Sequence, residues 1–206
     1  MFLNQVENRQ DFHRALLDFR AETVRDASRN IFVKTAAGDM GNALDLYFIK
    51  KLEETELLPE AKKNYYLGIA YGIRAFLYFD LYRVYGAVPL RLDTAVIDGE
   101  LDPLKLYMAR HSPAEVMAQI KKDLDASLTH FGDEKSWNKY NHGSKITWSK
   151  AATEYLAGEV YLWNAKVSVD GNLGKHAAEP GDIATAKTYF NNVVNNYGLA
   201  LEDSFS

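Results

Sequence analysis

Cysteine is absent from the 206-residue sequence. Disulfide bonds, thiolate metal sites and cysteine nucleophiles are therefore excluded, while the compartment stays open because many secreted proteins also lack cysteine. Histidine is sparse, and its positions show neither a His-x-x-x-His spacing nor acidic companions suited to a metal ion. We expect no metal site and no cofactor from the histidines, which are His13, His111, His130, His142 and His176.

Sequence motifs of common enzymes are also missing. No Gly-rich phosphate loop follows a strand, and no Gly-x-Ser-x-Gly elbow is present. A glycoside hydrolase would need two carboxylates across a cleft, and the sequence neither identifies such a pair nor excludes one. We therefore expect the protein not to be an enzyme, with a helical hydrolase as a minor alternative.

Neither an excess of basic charge nor a long apolar run is found. The formal net charge is -4, which argues against a nucleic-acid partner because such proteins usually carry a basic patch. The most apolar stretch, residues 64–90, contains Arg74, Asp80 and Arg83, so it does not provide the roughly 20 apolar residues of a membrane span. The first residues show no basic segment leading into an apolar run, so no signal peptide is expected.

Aromatic residues are plentiful: 13 Tyr, 10 Phe and 3 Trp. The 47% hydrophobic and 25% charged residues are typical of a soluble globular protein. A length of 206 residues fits one domain, predicted to cover residues 1–206. Most aromatic side chains should lie in its core, and such a content also suits a surface that stacks on ligands.

Apolar periodicity predicts an all-α fold. Glycine and proline separate the periodic segments, and Gly86 followed by Pro89 indicates the end of the longest helix. A loop is predicted for 87–111, another for 133–145 and a glycine-rich loop for 168–181. The predicted helices cover residues 11–30, 42–56, 59–85, 113–131, 147–167 and 182–196.

Capping residues indicate where several helices begin. Ser112 is predicted to cap a helix that has Pro113 in its first position and Glu115 in its third. Thr147 is predicted to cap the next helix, and Asp182 the last one.

Two helices share a short motif. Leu67-Gly68-x-x-Tyr71 and Ala157-Gly158-x-x-Tyr161 match the Leu-Gly-x-x-Tyr core of a tetratricopeptide (TPR) first helix. Glycine would let the paired helix approach closely, and the tyrosine would fill the groove beside it. The alternative is that each glycine is only a packing contact. The helix–loop–helix order favours the repeat and predicts TPR-like stacked helix pairs with long loop insertions and both tyrosines in the interior.

The strongest pattern is AKKNYYLGIAYGIRAFLYFDLYRVYGAVPL, residues 61–90. It resembles the signature of the SusD/RagB family, the surface glycan-binding lipoproteins of Bacteroidetes-type nutrient-uptake systems. The matching positions are Arg74, Ala75, Tyr78, Phe79, Leu81, Tyr85, Gly86, Val88, Pro89 and Leu90. Residues 110–131, 146–166 and 186–205 are similar to later blocks of that family in order and spacing, so the resemblance covers residues 60–206.

The resemblance implies a non-catalytic role at the outer surface of the outer membrane. The implied ligand is an oligosaccharide or another nutrient, and the implied partner is a SusC-like, TonB-dependent outer-membrane transporter. Family members run far longer and carry an N-terminal lipoprotein cysteine. We therefore expect this chain to be a fragment of a longer, lipid-anchored protein. A TPR-type protein-interaction adaptor without a sugar site is the alternative function.

Sugar recognition needs flat rings for the C–H face of a pyranose and polar groups for its hydroxyls. The best matching cluster is Trp137, Asn138, Tyr140 and His142 in a polar loop. From it we predict Trp137, Asn138 and Tyr140 as ligand-binding residues. The alternative is that Trp137 tucks into the core and anchors the loop.

A second candidate cluster lies near the start of the chain. The segment DFRAE faintly resembles an Arg-x-acid segment near the binding region of the SusD/RagB family. This resemblance implies ligand-binding roles for Arg20 and Glu22, close to Arg25. The alternative is that these are solvated helix charges. By contrast, Arg74, Asp80 and Arg83 are predicted to be structural, because a buried charge needs a partner and Asp80 and Arg83 can pair one helical turn apart.

Overall fold

The structure of the protein is a computed structural model that describes residues 48–92, 108–137, 140 and 147–198. The predicted helix at 11–30 lies outside these residues. Within them the fold is all-α apart from one small hairpin, and residues 48–54 are helical. The elements that follow are α1 (Glu60–Tyr85), α2 (Pro113–Phe131), α3 (Lys150–Lys166), β1 (Val169–Gly171), β2 (Gly174–His176) and α4 (Asp182–Asn196).

Helix α1 is the centre of the described structure. It begins after Pro59 and ends at Gly86, whose φ of 66° suits glycine. Its side chains are buried on most faces, as the sequence predicts for a helix between other helices. Tyr78, Phe79 and Tyr82 are almost fully buried and form one core with residues of α2 and α3.

Helix α2 starts with the predicted capping box. The Ser112 side chain accepts from the Glu115 backbone N–H, and the Glu115 carboxylate accepts from the Ser112 N–H at 2.8 Å. These bonds lower the pKa of Glu115, with the Ser112 hydroxyl as the main cause. The helix ends at Gly132, as predicted, where φ is 55°.

Two predicted caps are wrong by one or two residues. Helix α3 is capped by Ser149, which accepts from the Ala152 N–H, and not by Thr147. Helix α4 is capped by Gly181 and not by Asp182. Asp182 instead directs its carboxylate to Asn164 Nδ2 at 2.7 Å and to Lys121 Nζ at 2.8 Å, which ties α4 to α3 and α2.

The predicted glycine-rich loop at 168–181 contains the two short antiparallel strands β1 and β2. Val169 pairs with His176 and Gly171 with Gly174, which leaves a two-residue turn at 172–173. Gly174 has a φ of 114°, a conformation that L side chains rarely adopt. The glycines therefore close a hairpin turn here, which their presence alone does not distinguish from an irregular loop.

The two motif glycines mark close helix contacts. A Cβ at Gly68 would lie 2.9 Å from the ring of Phe131 on α2, and a Cβ at Gly158 would lie 2.6 Å from the ring of Phe190 on α4. Helices α1 and α2 thus form a first helix pair, and α3 and α4 form a second. The prediction that each glycine admits its paired helix is confirmed.

The two helix pairs repeat three further contacts. Positions in α1 and α3 correspond at an offset of 90 residues, and positions in α2 and α4 at an offset of 59. Each corresponding contact therefore joins the same two places in its pair. The corresponding contacts are Tyr65–Phe131 with Tyr155–Phe190, Tyr71–His130 with Tyr161–Tyr189, and Arg74–Asp123 with Asn164–Asp182.

The two motif tyrosines are half-buried, whereas the sequence predicts interior positions for them. Their rings pack between helices, and the side chains remain partly exposed. The Tyr71 ring stacks on His130 with centroids 5.5 Å apart, while its hydroxyl donates to Glu53 at 2.9 Å. Burial, with Glu53 second, raises the pKa of Tyr71 to about 12. Tyr161 packs against Tyr189 and lies 4.8 Å from Lys121 Nζ.

The charges of α1 have structural partners, as predicted. Arg74 is buried and donates to Asp123 from Nε at 2.8 Å and from Nη2 at 2.6 Å. Asp80 and Arg83 pair with each other at the surface. Within the described part of the chain, no helix is both long enough and apolar enough for a membrane span.

Candidate functional site

Trp137 lies in the segment after α2, where it contacts Tyr197, the residue that follows α4. Its Nε1 donates to the carbonyl of Tyr197 at 3.0 Å, and the two rings meet edge to face at 5.8 Å. The side chain is half-buried. Trp137 therefore ties the segment between the helix pairs to the end of α4, the anchoring role that the sequence leaves open.

Tyr140 packs against α1. Its ring contacts Tyr65 edge to face at 5.1 Å and lies 6.3 Å from Tyr66. Trp137 and Tyr140 are therefore directed at different helices. Asn138, Arg20 and Glu22, the other three predicted ligand residues, lie outside the described residues.

A cleft opens between the first turns of α1 and the end of α2. Its volume is about 450 Å³, within the range of ligand pockets. Tyr65 and Phe131 give it an apolar floor, and Tyr140 packs on Tyr65. The lining residues are Ala61, Asn64, Tyr65, His130, Phe131, Asp133 and Glu134.

The polar groups of the cleft are held in place by hydrogen bonds. Asn64 donates from Nδ2 to Glu60 at 3.3 Å, so its Oδ1 is the acceptor that faces His130 Nδ1 at 3.0 Å. His130 therefore carries its proton on Nδ1 and leaves Nε2 as an acceptor. The Glu134 carboxylate accepts from the Ser136 N–H at 3.0 Å.

The charge of the cleft follows from burial. Desolvation lowers the pKa of His130, and it outweighs the opposing effects of Glu53 and Glu60. The imidazole is therefore mainly uncharged at neutral pH. The remaining ionisable groups of the lining are the carboxylates of Asp133 and Glu134. The cleft thus places hydrogen-bond acceptors beside aromatic side chains, an arrangement suited to a hydroxyl-rich ring.

Sequence reasoning missed most of this cleft. Asn64 and His130 lie inside predicted helices, 66 positions apart, and only the pairing of α1 with α2 brings them together. One signal was present: Gly132 ends α2 and is followed at once by Asp133 and Glu134. Among the described residues, no cluster of three or more His, Asp or Glu side chains could hold a metal ion.

Two helix pairs joined by a long segment, with an open cleft in the first pair, define a helical-repeat scaffold. A curated protein, SusD-like protein P38 of Formosa agariphila, is 40% identical over 112 residues, which are 52% of this chain and 20% of P38. A SusD superfamily structure from Bacteroides fragilis is 47% identical with a TM-score of 0.69 and covers 79% of this chain. B. fragilis NanU is 38% identical with a TM-score of 0.66 and covers 82% of it.

The chain is therefore similar to proteins of the SusD superfamily. It spans about 30% of the length of the two B. fragilis structures. No protein-family model matches the chain. The resemblance read from residues 61–90 is confirmed, as is the all-α, TPR-like fold.

Proposed function

We propose that the protein is a non-catalytic glycan-binding protein of the SusD type. The α1–α2 cleft carries this proposal, because it places hydrogen-bond acceptors near the Tyr140 ring in a space of ligand size. Two proteins with this fold support the ligand class: one is a laminarin-binding SusD-like protein, and another was crystallised with a xylogluco-oligosaccharide. These two are 19% and 20% identical to the chain, so they serve as a guide to probes.

In this proposal a sugar ring lies on Tyr140 and directs its hydroxyls to the polar rim. The C–H face of the sugar packs on the Tyr140 ring, which is itself supported edge to face by the buried Tyr65. Sugar hydroxyls donate to His130 Nε2 and Asp133. The proposal assigns Trp137 the role of holding the segment that carries Tyr140.

Further ligand residues, a partner and a cellular location are also proposed. Asn138, Arg20 and Glu22 stay candidate ligand residues. The chain would be one part, in a single helical domain, of a longer protein at the outer surface of the outer membrane, lipid-anchored there. It would present oligosaccharide to a SusC-like, TonB-dependent transporter. The family relationship supports these assignments.

Calorimetric titration with laminarin- and xyloglucan-derived oligosaccharides tests the proposal. We expect Tyr140→Ala to weaken binding about fivefold, since an aromatic contact is worth about 1 kcal/mol. Tyr155→Ala is the matched control: Tyr155 corresponds to Tyr65 in the second helix pair, is 51% exposed and lies outside the cleft. Absence of binding to every glycan of a broad panel, or equal losses in the two variants, would contradict the proposal.

A further inference from the structure

The α1–α2 cleft is electronegative. Its lining contains the carboxylates of Asp133 and Glu134 and, among the described residues, neither lysine nor arginine. It also lies at the C-terminal end of α2, where the helix dipole adds partial negative charge. Lys150 donates to the Gly132 carbonyl and offsets part of that charge.

The flanking cations of α1 have other contacts. Lys62 Nζ lies 5.9 Å from the centre of the Tyr66 ring, and Lys63 Nζ donates to the Glu53 carbonyl at 2.7 Å. Lys135 is exposed in the segment after α2. None of the three lines the cleft. A ligand in it would therefore meet hydrogen-bond acceptors and negative charge first.

In the second helix pair, a hydroxyl group already bonds to a carboxylate at the place that corresponds to the cleft. The residue that corresponds to Asn64 is Glu154, which is buried. The phenol of Tyr197 hydrogen-bonds to Glu154, and burial, with Glu154 second, raises the pKa of that phenol. Helix α4 runs to Asn196 and thus delivers Tyr197 to this place, whereas α2 already ends at Phe131. A hydroxyl-bearing ring beside a carboxylate therefore occupies the second pair, while the first pair is open.

We propose that the α1–α2 cleft selects glycans made of uncharged sugars and rejects glycans that carry uronic acid units. This inference rests on the proposed glycan-binding function and names the substrate class of the same site. Sugar hydroxyls donate to the carboxylates, as the Tyr197 phenol does to Glu154, because hydrogen bonds to an ionised acceptor are the stronger kind. A sugar carboxylate would instead face like charge, and at low ionic strength this repulsion is only weakly screened.

The test compares a neutral and an acidic oligosaccharide of equal length, laminarihexaose and hexagalacturonate, by titration at pH 7.5 and low salt. We expect the acidic glycan to bind at least tenfold more weakly than the neutral one. The double variant Asp133→Asn with Glu134→Gln should narrow that gap at least threefold. The charge-matched control, Glu159→Gln with Asp170→Asn, removes two carboxylates that do not line the cleft and should leave the gap unchanged.

The possible results distinguish failure of the proposed selectivity from failure of the proposed glycan-binding function. Equal affinity for the two glycans, tighter binding of the acidic one, or a gap that the double variant leaves unchanged would overturn the selectivity and leave the glycan-binding function standing. Binding of neither glycan nor any other oligosaccharide of a broad panel would overturn the function itself. Because Asp133 is exposed and Glu134 half-buried, the variants should fold, and their thermal unfolding midpoints verify this.

Discussion

At the scale of single residues, His130 links the cleft to the stability of the first helix pair. Its ring stacks on Tyr71 and its Nδ1 donates to Asn64. Burial lowers its pKa in the folded protein below the usual value of about 6.5. The unfolded chain therefore binds a proton at this position more readily than the folded protein does.

This difference predicts a pH dependence with a definite sign. Above about pH 6.5 the residue is neutral in both states and favours neither, and as the pH falls from there toward its lowered folded pKa, stability is lost. We expect His130→Gln, which cannot titrate, to lose less unfolding free energy than the wild type between pH 7.5 and 5. Urea unfolding at both pH values measures this, and identical pH dependence in the two proteins would contradict the lowered pKa.

At the scale of elements, the motif glycines predict an exception to helix propensity. Alanine normally stabilises a helix over glycine by about 1 kcal/mol. At Gly68 and Gly158 the new Cβ would overlap the rings of Phe131 and Phe190, so alanine should instead destabilise, by about 1–3 kcal/mol as overpacking does.

Chemical denaturation of the glycine variants checks this expectation. Gly181→Ala is the control, since its backbone has a φ of -61° and no atom lies within 4 Å of the added Cβ. Adding Phe131→Leu to Gly68→Ala should recover part of the loss, because leucine lacks the ring edge. Stabilisation by Gly68→Ala would show that α1 and α2 do not approach as closely as described.

The helices follow from local signals, whereas the hairpin and the cleft do not. Apolar periodicity, Pro59 and the Ser112–Glu115 capping box place α1 and α2 because each signal acts within a few residues. Strands β1 and β2 are three residues long, too short for an alternating pattern. Thr147 is also an adequate N-cap by composition, and only the packed structure selects Ser149.

Contacts between residues far apart in the sequence are even harder to predict from local patterns. Asp123 is an ordinary helix residue in the sequence, and its bond to Arg74 spans 49 positions. The sequence indicates that Arg74 needs a partner without saying which one. Trp137 and Tyr140 are neighbours in the sequence, yet Trp137 contacts Tyr197 after α4 and Tyr140 contacts Tyr65 of α1. Proximity in a loop therefore does not predict a shared surface.

At the scale of the whole molecule, the two helix pairs share one arrangement but differ in the residues that make the corresponding contacts. The first pair carries a salt bridge, Arg74–Asp123, where the second carries the Asn164–Asp182 hydrogen bond. Tyr65 is 5% exposed and packs on Tyr140 of the joining segment, whereas its counterpart Tyr155 is 51% exposed. Tyr140 is thus a contact of the first pair beside the cleft.

Binding of glycan in the cleft between α1 and α2 is best tested by magnetic resonance. Amide and ring chemical shifts of the isotope-labelled protein are followed during titration with laminari- or xyloglucan-oligosaccharides. We expect the largest shifts on Asn64, His130 and Tyr140, while the hairpin and the exposed face around Tyr155 stay unchanged. Shifts confined to the second helix pair, or saturable binding without change at these three residues, would contradict it.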